Sequence, residues 1–417
     1  MHRNGFDSDK RLSEQKQYIL ESVEKSEGRL YIEVGGKLLQ DRHASRVLPG
    51  YDENNKMKVF ESIKDHLDII ICIYAGDIEQ RKMRGDFGIS YDADVLKMIG
   101  DFAEYGMTCD KVVITRYDNQ VAANQFKRKL EQRGIRVWTH SATPGYPSNI
   151  DVVVSEEGYG KNPYIPVEAP VVIVAAPGPG SGKLATCLNQ MYHEAKLGMN
   201  PNYSKFETFP IWNLPLNHPV NLAYEGATLD IGDSNLIDHF HLDAYGKITT
   251  NYSRDLEAYP LLKRILEKIT GKPCVYKSPT DMGVNRCGFG IYDDEACRED
   301  ANREIIRRVF HTKTDYVAGI CTKDVYNRGL ALLDKAGLKE EDRTTVIPAR
   351  EALKKAIEEK KDATTASSAP QPSSSRTGRS SPRTTRTSST QERPWCSAHA
   401  RPSSASRRTW TSSTRTS

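Results

Sequence analysis

A glycine-rich segment with one lysine is the part of this sequence that most clearly indicates a chemistry. Residues 177–183 read PGPGSGK, after the apolar run 170–176 and before a helical pattern over 184–197. A strand, a glycine turn, a lysine and a helix together present backbone N–H groups and one cation to a phosphate. The residues predicted to hold that phosphate are Gly178, Gly180, Ser181, Gly182 and Lys183.

The segment departs from the nucleotide-binding P-loop, whose pattern is G-x-x-x-x-G-K-[ST]. Pro177 stands in place of the first glycine, and Leu184 in place of the Ser or Thr that would bind Mg²⁺. The glycines and the lysine that remain still predict ATP or GTP as the ligand. The missing Ser or Thr argues against a catalytic cycle that depends on Mg²⁺. The alternative is a turn that only packs a helix against a sheet. Asp77 and Glu156 are the acids that would assist from strand ends, although such acids are common.

A second polar segment over 278–290 is rich in glycine and has neither helical nor strand periodicity. It is either a binding loop or a structural turn. If it binds, Asp281 is the predicted acid, base or metal contact, and Arg286 is the second predicted catalytic residue. Asn285 would add a hydrogen-bond donor to the ligand. An enzyme whose site is this loop, with the glycine segment purely structural, stays open.

Other polar clusters allow two interpretations each. Residues 35–37 (GGK) and 42–46 (RHASR) follow the first apolar run, where open α/β sheets bind ligands, but a solvated loop explains them equally well. Carboxylates and imidazoles crowd into residues 230–241, and these are metal-ligand types. Helix caps and surface polar residues account for them as well, so no metal site is predicted. The residues in question are Asp230, Asp233, Asp238, His239 and His241.

The composition bounds the class of protein. At 417 residues with 38% hydrophobic and 27% charged residues, the chain suits a soluble globular protein of two or three domains. No apolar run of about 18 residues predicts a membrane span, and the N-terminus lacks the apolar segment of a secretion signal. The eight cysteines are scattered without a C-x-x-C pair, which is typical of reduced thiols. We therefore expect a cytoplasmic protein.

The net charge of the whole chain does not describe its main part, because the C-terminal segment has a different, basic composition. From residue 363 onward there are nine arginines, no lysine and one acid, a contribution of +8 to the formal net charge of +4. Residues 1–362 therefore carry −4, which does not describe a nucleic-acid-binding body. The expected partner is instead a phosphorylated small molecule or a nucleotide, and a homo-oligomer is left open.

The elements that must position these residues alternate between strands and helices, which predicts an α/β fold with a mostly parallel sheet and flanking helices. A smaller helical domain and a disordered tail follow. The predicted domains are 1–228 (α/β, with the glycine segment), 229–340 (mainly helical), 341–362 (the start of a truncated C-terminal domain) and 363–417 (tail). The predicted strands are 30–34, 68–74, 111–115, 135–139, 151–154 and 170–176. The predicted helices are 8–26, 54–66, 92–105, 119–133, 184–197, 255–270, 293–311 and 321–336.

Four stretches give the chain a family resemblance: residues 44–50 (ASRVLPG), 154–160 (VSEEGYG), 177–183 and 278–290. Together they resemble the bacterial domain of unknown function 1846 family, over residues 1 to about 350. The resemblance implies a larger cytosolic protein with a further C-terminal α/β domain. It implies no established reaction, so it indicates a fold more than a function.

Some members of that family are labelled ATP-dependent zinc peptidases, and the sequence tests that label. A zinc peptidase of this kind needs H-E-x-x-H, with two histidines one helical turn apart. The nearest match is residues 193–197 (HEAKL), which lacks the second histidine. We therefore reject a metalloprotease. What remains is a phosphate- or nucleotide-dependent transferase or hydrolase, or a ligand-binding or assembly protein without turnover.

The segment 363–417 allows two explanations. It contains no Val, Ile, Leu, Met, Phe or Tyr, so it cannot bury enough surface to offset its ordering entropy and is expected to be a disordered basic tail. Because lysine use stops after Lys361, we hypothesise instead that a frameshift produces the segment. Resequencing the gene tests this hypothesis, and an uninterrupted frame through codon 363 in independent isolates would contradict it.

Overall fold

A computed structural model describes residues 3–24, 28–85 and 87–366 of the chain. Its centre is a parallel sheet of six strands in the order β6-β5-β2-β7-β1-β8. Two short antiparallel ribbons, β3-β4 and β9-β10, lie outside it. The strands are β1 (Leu30–Val34), β2 (Leu67–Tyr74), β3 (Met83–Arg84), β4 (Ile89–Ser90), β5 (Lys111–Thr115), β6 (Arg136–His140), β7 (Val171–Ala175), β8 (Asn202–Phe206), β9 (Asn235–Ile237) and β10 (Thr250–Tyr252).

The helices precede, connect and follow these strands. They are α1 (Ser8–Glu24), α2 (Arg42–Val47), α3 (Asn55–Glu61), α4 (Ala75–Glu79), α5 (Tyr91–Glu104), α6 (Val121–Glu131), α7 (Ile150–Val153), α8 (Lys183–Lys196), α9 (Pro219–Glu225), α10 (His239–Tyr245), α11 (Ser253–Thr270), α12 (Pro279–Met282), α13 (Asp294–Val317), α14 (Lys323–Lys335) and α15 (Val346–Ala366). Single 3₁₀ turns lie at Lys64–His66, Tyr159–Lys161, Cys287–Gly290 and Glu340–Asp342.

The central strands are apolar throughout because helices cover both faces of the sheet. All five residues of β7 are buried, and β2 sends Ile69, Ile71 and Ile73 to one face but Ile70 and Cys72 to the other. The first face packs against α1, α3, α5 and α6, and the second against α8 and α11. Runs without polar alternation are what a strand between two helical layers requires.

The order of the strands reverses once along the chain. From β1 the chain passes β7 to reach β2, and it continues through β5 to β6 at one edge of the sheet. It then returns to β7 and passes β1 to finish at β8 on the other edge. Because parallel crossovers are right-handed, the two directions place their helices on opposite faces. The connections after β1 and β2 therefore diverge from the connection after β7.

A third apolar cluster lies outside the sheet. It joins α2, α9, α13 and α14 with Phe6 from the N-terminal segment, and it includes buried Val220, Ile305 and Leu332. This is the helical region that follows the sheet. The fold-class prediction of a mostly parallel sheet with flanking helices and a helical part after it is therefore confirmed.

Two strand assignments need correction. The strand predicted over 151–154 is wrong, since Ile150–Val153 is a helical turn and the Asn149 side chain caps it by accepting from the Val152 N–H. Conversely, β8 and α9 lie within residues 199–225, where no strand or helix was predicted. β8 was missed because it is an edge strand that carries Asn202, Ser204 and Lys205.

The domain boundaries predicted at residues 228, 340 and 362 stay predictions. Most of the predicted tail, from residue 367 on, lies outside the described residues. No helix in the described part of the chain is long and apolar enough to cross a lipid bilayer.

Candidate functional site

The glycine segment, called the glycine loop below (residues 177–183), lies at the carboxyl end of β7 and leads into α8. β7 lies between β2 and β1, and the connections that follow those two strands pass to the opposite face of the sheet. This is a topological switch point, where the diverging connections leave a crevice at the carboxyl edge. Open α/β sheets bind their ligands in that crevice.

Three carbonyl groups of the glycine loop accept hydrogen bonds from side chains of the protein. The Ser181 hydroxyl donates to the Gly178 oxygen at 2.9 Å, and the Thr115 hydroxyl donates to the Ser181 oxygen at 2.7 Å. The Arg116 guanidinium donates to the Gly180 oxygen. In contrast, the backbone N–H groups of Gly180, Gly182 and Lys183 donate no hydrogen bond to any residue that the structure describes. The loop therefore retains the donors that an anion would need.

Glycine is required at two positions of the loop for different reasons. Gly182, the residue before α8, has φ +95°, and a Cβ there would lie 2.8 Å from the Thr115 methyl group. A Cβ on Gly178 would overlap the Tyr91 hydroxyl. Gly180 also has a positive φ, +75°, but a Cβ there would meet open space. The loop thus packs closely against β5 and α5 while its tip faces free volume.

Arg116 is a functional candidate that the sequence did not reveal. It follows β5 with a left-handed φ of +48°, and its guanidinium lies 3.4 Å from the centre of the Tyr74 ring. Together with its bond to the Gly180 oxygen, this stacking holds a second cation at the glycine loop. The only signal in the sequence is its position directly after a strand. That position becomes informative once β5, β2 and β7 are known to be neighbours.

Lys183 does not extend freely into solvent. Its side chain is 12% exposed, and its Nζ lies 4.0 Å from Oε1 of Glu33 on β1. The other Glu33 oxygen accepts a 2.8 Å hydrogen bond from the Tyr203 hydroxyl on β8. The predicted phosphate-neutralising cation is therefore linked to a carboxylate on the neighbouring strand.

That carboxylate belongs to a larger group of charges, the charged cluster, at the carboxyl ends of β1 and β8. Glu33 is opposite Lys205 in the strand register. Lys205 lies 2.7 Å from both oxygens of Asp255 and 3.2 Å from Glu207. A Cβ on Gly35 would overlap the Glu207 carboxylate, so the glycine gives that acid its space. The members of the charged cluster are Glu33, Lys183, Lys205, Glu207 and Asp255.

The electrostatics of the charged cluster set one acid apart. Burial alone would lower the pKa of the Lys205 ammonium, but the Glu207 and Asp255 carboxylates raise it above its ordinary range. Burial raises the pKa of Glu207 even though Lys205 opposes the shift. An acid with a raised pKa beside a permanent cation is suited to proton transfer. The sequence did not single out Glu207.

The second predicted loop, 278–290, lies on the far side of β8. Gly283 pairs with Lys205, and the Val284 N–H donates to the Lys205 oxygen at 3.0 Å. β1 and β8 therefore separate this loop from β7, a distance of about 14 Å at the usual spacing of strands. The structure does not bring the two predicted loops together.

The predicted residues of that loop have partners within the protein. The Asn285 amide donates to the Thr208 and Pro210 oxygens at 2.8 and 3.2 Å, and its oxygen accepts from the Cys287 N–H at 2.7 Å. Asp281 accepts from the Tyr245 hydroxyl at 2.7 Å and from the Lys277 N–H at 3.0 Å. The Arg286 guanidinium stacks 3.6 Å from the centre of the Tyr18 ring. The catalytic roles predicted for Asp281 and Arg286, and the ligand-binding role predicted for Asn285, stay predictions.

The other candidate acids are distributed rather than gathered. Asp238 caps α10 and also accepts from Thr280, and Asp233 pairs with Arg254 at 3.0 Å. Within the described residues, no three side chains of metal-ligand type are close enough to hold one ion. Asp77 does follow β2 and lies 3.3 Å from Lys82. Glu156 follows a helical turn instead of a strand and pairs with Lys196.

The residues that resembled a zinc-peptidase motif also have structural contacts. Glu194 is buried and accepts hydrogen bonds from the Tyr31 and Tyr164 hydroxyls and from Arg29 at 2.7 to 2.9 Å. His193 bonds the Asn162 carbonyl at 2.7 Å. Both side chains of the HEAKL segment therefore fix α8 to its surroundings.

The fold and the site together define a doubly wound parallel α/β protein with a glycine loop at its switch point. A family model described as "Domain of unknown function DUF1846, N-terminal" matches residues 4–337. UPF0371 proteins of Clostridium botulinum are similar to the chain: that of strain Alaska E43 is 58% identical over 347 residues, and that of strain Langeland 59% over 349. The alignments cover 83% and 84% of this chain and 69% of each relative. The chain belongs to the DUF1846 family, as the resemblance predicted.

The two left-handed glycines of the loop provide a matched stability test. We expect Gly180→Ala to lower the free energy of unfolding by only about 1–2 kcal/mol, the usual cost of a left-handed alanine. Gly182→Ala should lower it by at least about 1 kcal/mol more, because its Cβ also meets Thr115. Urea denaturation of both variants measures the difference. Equal losses would show that the loop does not pack on β5 as described.

Proposed function

We propose that the glycine loop binds a phosphate-bearing ligand, with nucleotides such as ATP and GTP as the first class to test. The observation that carries this proposal is that the loop has backbone donors to spare. Three of its carbonyl groups accept hydrogen bonds from the side chains of Ser181, Thr115 and Arg116. The N–H groups of Gly180, Gly182 and Lys183, in contrast, donate to no described residue. An anion at the N-terminus of α8 would accept from those donors.

The neighbouring charges support a reaction at the same site. Phosphoryl transfer and hydrolysis depend on positioning and on neutralising charge, and Lys183 and Arg116 supply two cations beside the loop. Glu207 supplies an acid with a raised pKa in the charged cluster, which reaches Lys183 through Glu33. A phosphoryl-transferring or hydrolytic enzyme is thus our first proposal.

A ligand-binding or assembly protein without turnover is the second proposal, and the surroundings of Leu184 favour it. The nearby hydroxyls do not replace the missing magnesium ligand. Ser181 donates to the Gly178 oxygen, and Thr186 is fully buried, with its hydroxyl 3.3 Å from the Cys72 thiol. Binding of nucleotide without Mg²⁺ would suit such a protein. A cytoplasmic location, a possible assembly of identical copies and the absence of nucleic-acid partners remain part of this proposal.

Removing the lysine of the loop tests binding. We expect saturating ATP, GTP or inorganic phosphate to raise the melting temperature by on the order of 5 °C, and Lys183→Ala to abolish that rise. Lys196→Ala is the matched control, since Lys196 lies on the same helix but at its last turn, where it pairs with Glu156. Thermal shift assays measure each case. Identical shifts in Lys183→Ala and the original chain would remove the basis of the proposal.

Turnover separates the two proposals and locates the reaction. If the site is catalytic, the chain should release phosphate from ATP or GTP, and Glu207→Gln should slow release by roughly a hundredfold, the usual contribution of an acid–base residue. Asp281→Asn should then leave the rate unchanged. If Asp281→Asn slows phosphate release and Glu207→Gln does not, the reaction belongs to the 278–290 loop instead. Binding without phosphate release, with and without Mg²⁺, would favour the non-catalytic protein.

A further inference from the structure

A cavity of about 430 Å³ lies apart from the sheet, where four segments of the chain meet. Its wall is formed by the N-terminal segment, the end of α2 with the turn after it, one side of α13 and Arg343. This volume is within the range of small-molecule sites, which is roughly 300–1,000 Å³. The charged residues that line it are Arg46, Asp300, Arg303, Glu304, Arg307 and Arg343.

One buried carboxylate organises the floor of the cavity. Glu304 is only 2% exposed, and it accepts two hydrogen bonds from Arg307, at 2.5 and 2.6 Å, and one from Arg308 at 2.9 Å. Burial alone would raise the pKa of Glu304, but the bonds from Arg307 and from His43, together with Arg308, bring it far below its ordinary range. Glu304 therefore stays ionised and fixes these guanidinium groups in place.

The wall carries more positive than negative charge. Four arginines face two carboxylates, and Arg303 is paired with Asp300 at 2.5 Å. Arg46 shares Glu304 with Arg307 and Arg308, from the longer distance of 4.0 Å, and is 44% exposed. Arg343 forms no ion pair with any residue that the structure describes. The wall therefore carries two positive charges more than its carboxylates neutralise, and planar guanidinium forks match phosphate oxygens in pairs.

The turn that closes the cavity is held rigidly. The Gly5 and Phe6 N–H groups both donate to the Pro49 oxygen, at 2.8 and 2.9 Å, and the Ser8 hydroxyl donates to the Gly50 oxygen at 3.1 Å. Gly50 has φ +105°, and a Cβ there would overlap the Phe6 carbonyl. A wall fixed in this way loses little conformational entropy when a ligand binds.

We propose that this arginine-lined cavity, the arginine pocket, is a second site, which binds a small ligand bearing two or more phosphate groups. The surplus of two guanidinium groups requires a multivalent anion for neutralisation, and the paired arginines of α13 would direct its oxygens. The pocket consists of different residues from the glycine loop and does not depend on the function proposed for that loop.

Pyrophosphate is the probe that tests the arginine pocket in the full chain. In isothermal titration calorimetry at low salt, we expect Arg46→Gln/Arg343→Gln to bind pyrophosphate roughly tenfold more weakly, or worse, at one site. Arg133→Gln, an exposed arginine at the turn before β6, is the control and should bind as the original chain does. Arg343→Gln alone, which removes no described ion pair, gives the same test if the double variant unfolds.

The Lys183→Ala chain separates the two sites. In that background the glycine loop lacks Lys183, so pyrophosphate binding that persists, and that Arg343→Gln then weakens, supports the arginine pocket. Binding that Lys183→Ala abolishes and that the arginine substitutions leave intact overturns the inference while supporting the glycine loop. Failure of the original chain to bind pyrophosphate at all also overturns it.

Discussion

Burial of the parallel sheet on both faces is the constraint on which the rest of the structure depends. With helices on each side, the interior strands β2, β5 and β7 can present little except apolar side chains, as the five buried residues of β7 illustrate. Polar groups are thereby displaced to the ends and edges of the strands. The glycine loop, Arg116 and Glu207 all follow directly after a strand. The chemistry at this edge is a consequence of how the core excludes polar residues.

Where charges do enter the faces of the sheet, they enter as linked sets. Glu194 is surrounded by the two tyrosine hydroxyls and the arginine that donate to it, and Glu33 is held by Tyr203 and lies beside Lys183. Removing a carboxylate from water costs several kcal/mol, which only good pairing offsets. Both sets lie between α8 and the strands β1 and β8. The glycine loop therefore begins a helix that is tied to the sheet by polar contacts at both of its ends.

The sequence predicted the parts of the structure that depend on local pattern. Apolar strand patterns identified β1, β2, β5, β6 and β7, of which β2 and β7 are continuous apolar runs, and the glycine pattern located the loop before α8. The four-residue apolar run at 151–154 misled because a run that short fits a helical turn equally well. β8 was missed because an edge strand can carry polar residues. Arg116 and Glu207 were missed for a different reason. The strand order brings Arg116 to the loop and connects Glu207 to Lys183 through Lys205 and Glu33, and no local pattern encodes that order.

The two candidate anion sites differ in what holds them together, and this difference bears on how each would respond to change. The glycine loop offers backbone N–H groups, so it depends on the conformation of Gly180 and Gly182 and on the strands that support them. The arginine pocket offers side chains: Arg46 and Arg343, together with Arg303 and Arg307 on α13, where Asp300 and the ionised Glu304 hold the last two in place. A backbone site tolerates most side-chain substitutions but little displacement of the sheet. A guanidinium site tolerates displacement better, because long side chains can follow their ligand, but neutralising Glu304 would release Arg307 and Arg308, which that carboxylate holds in place.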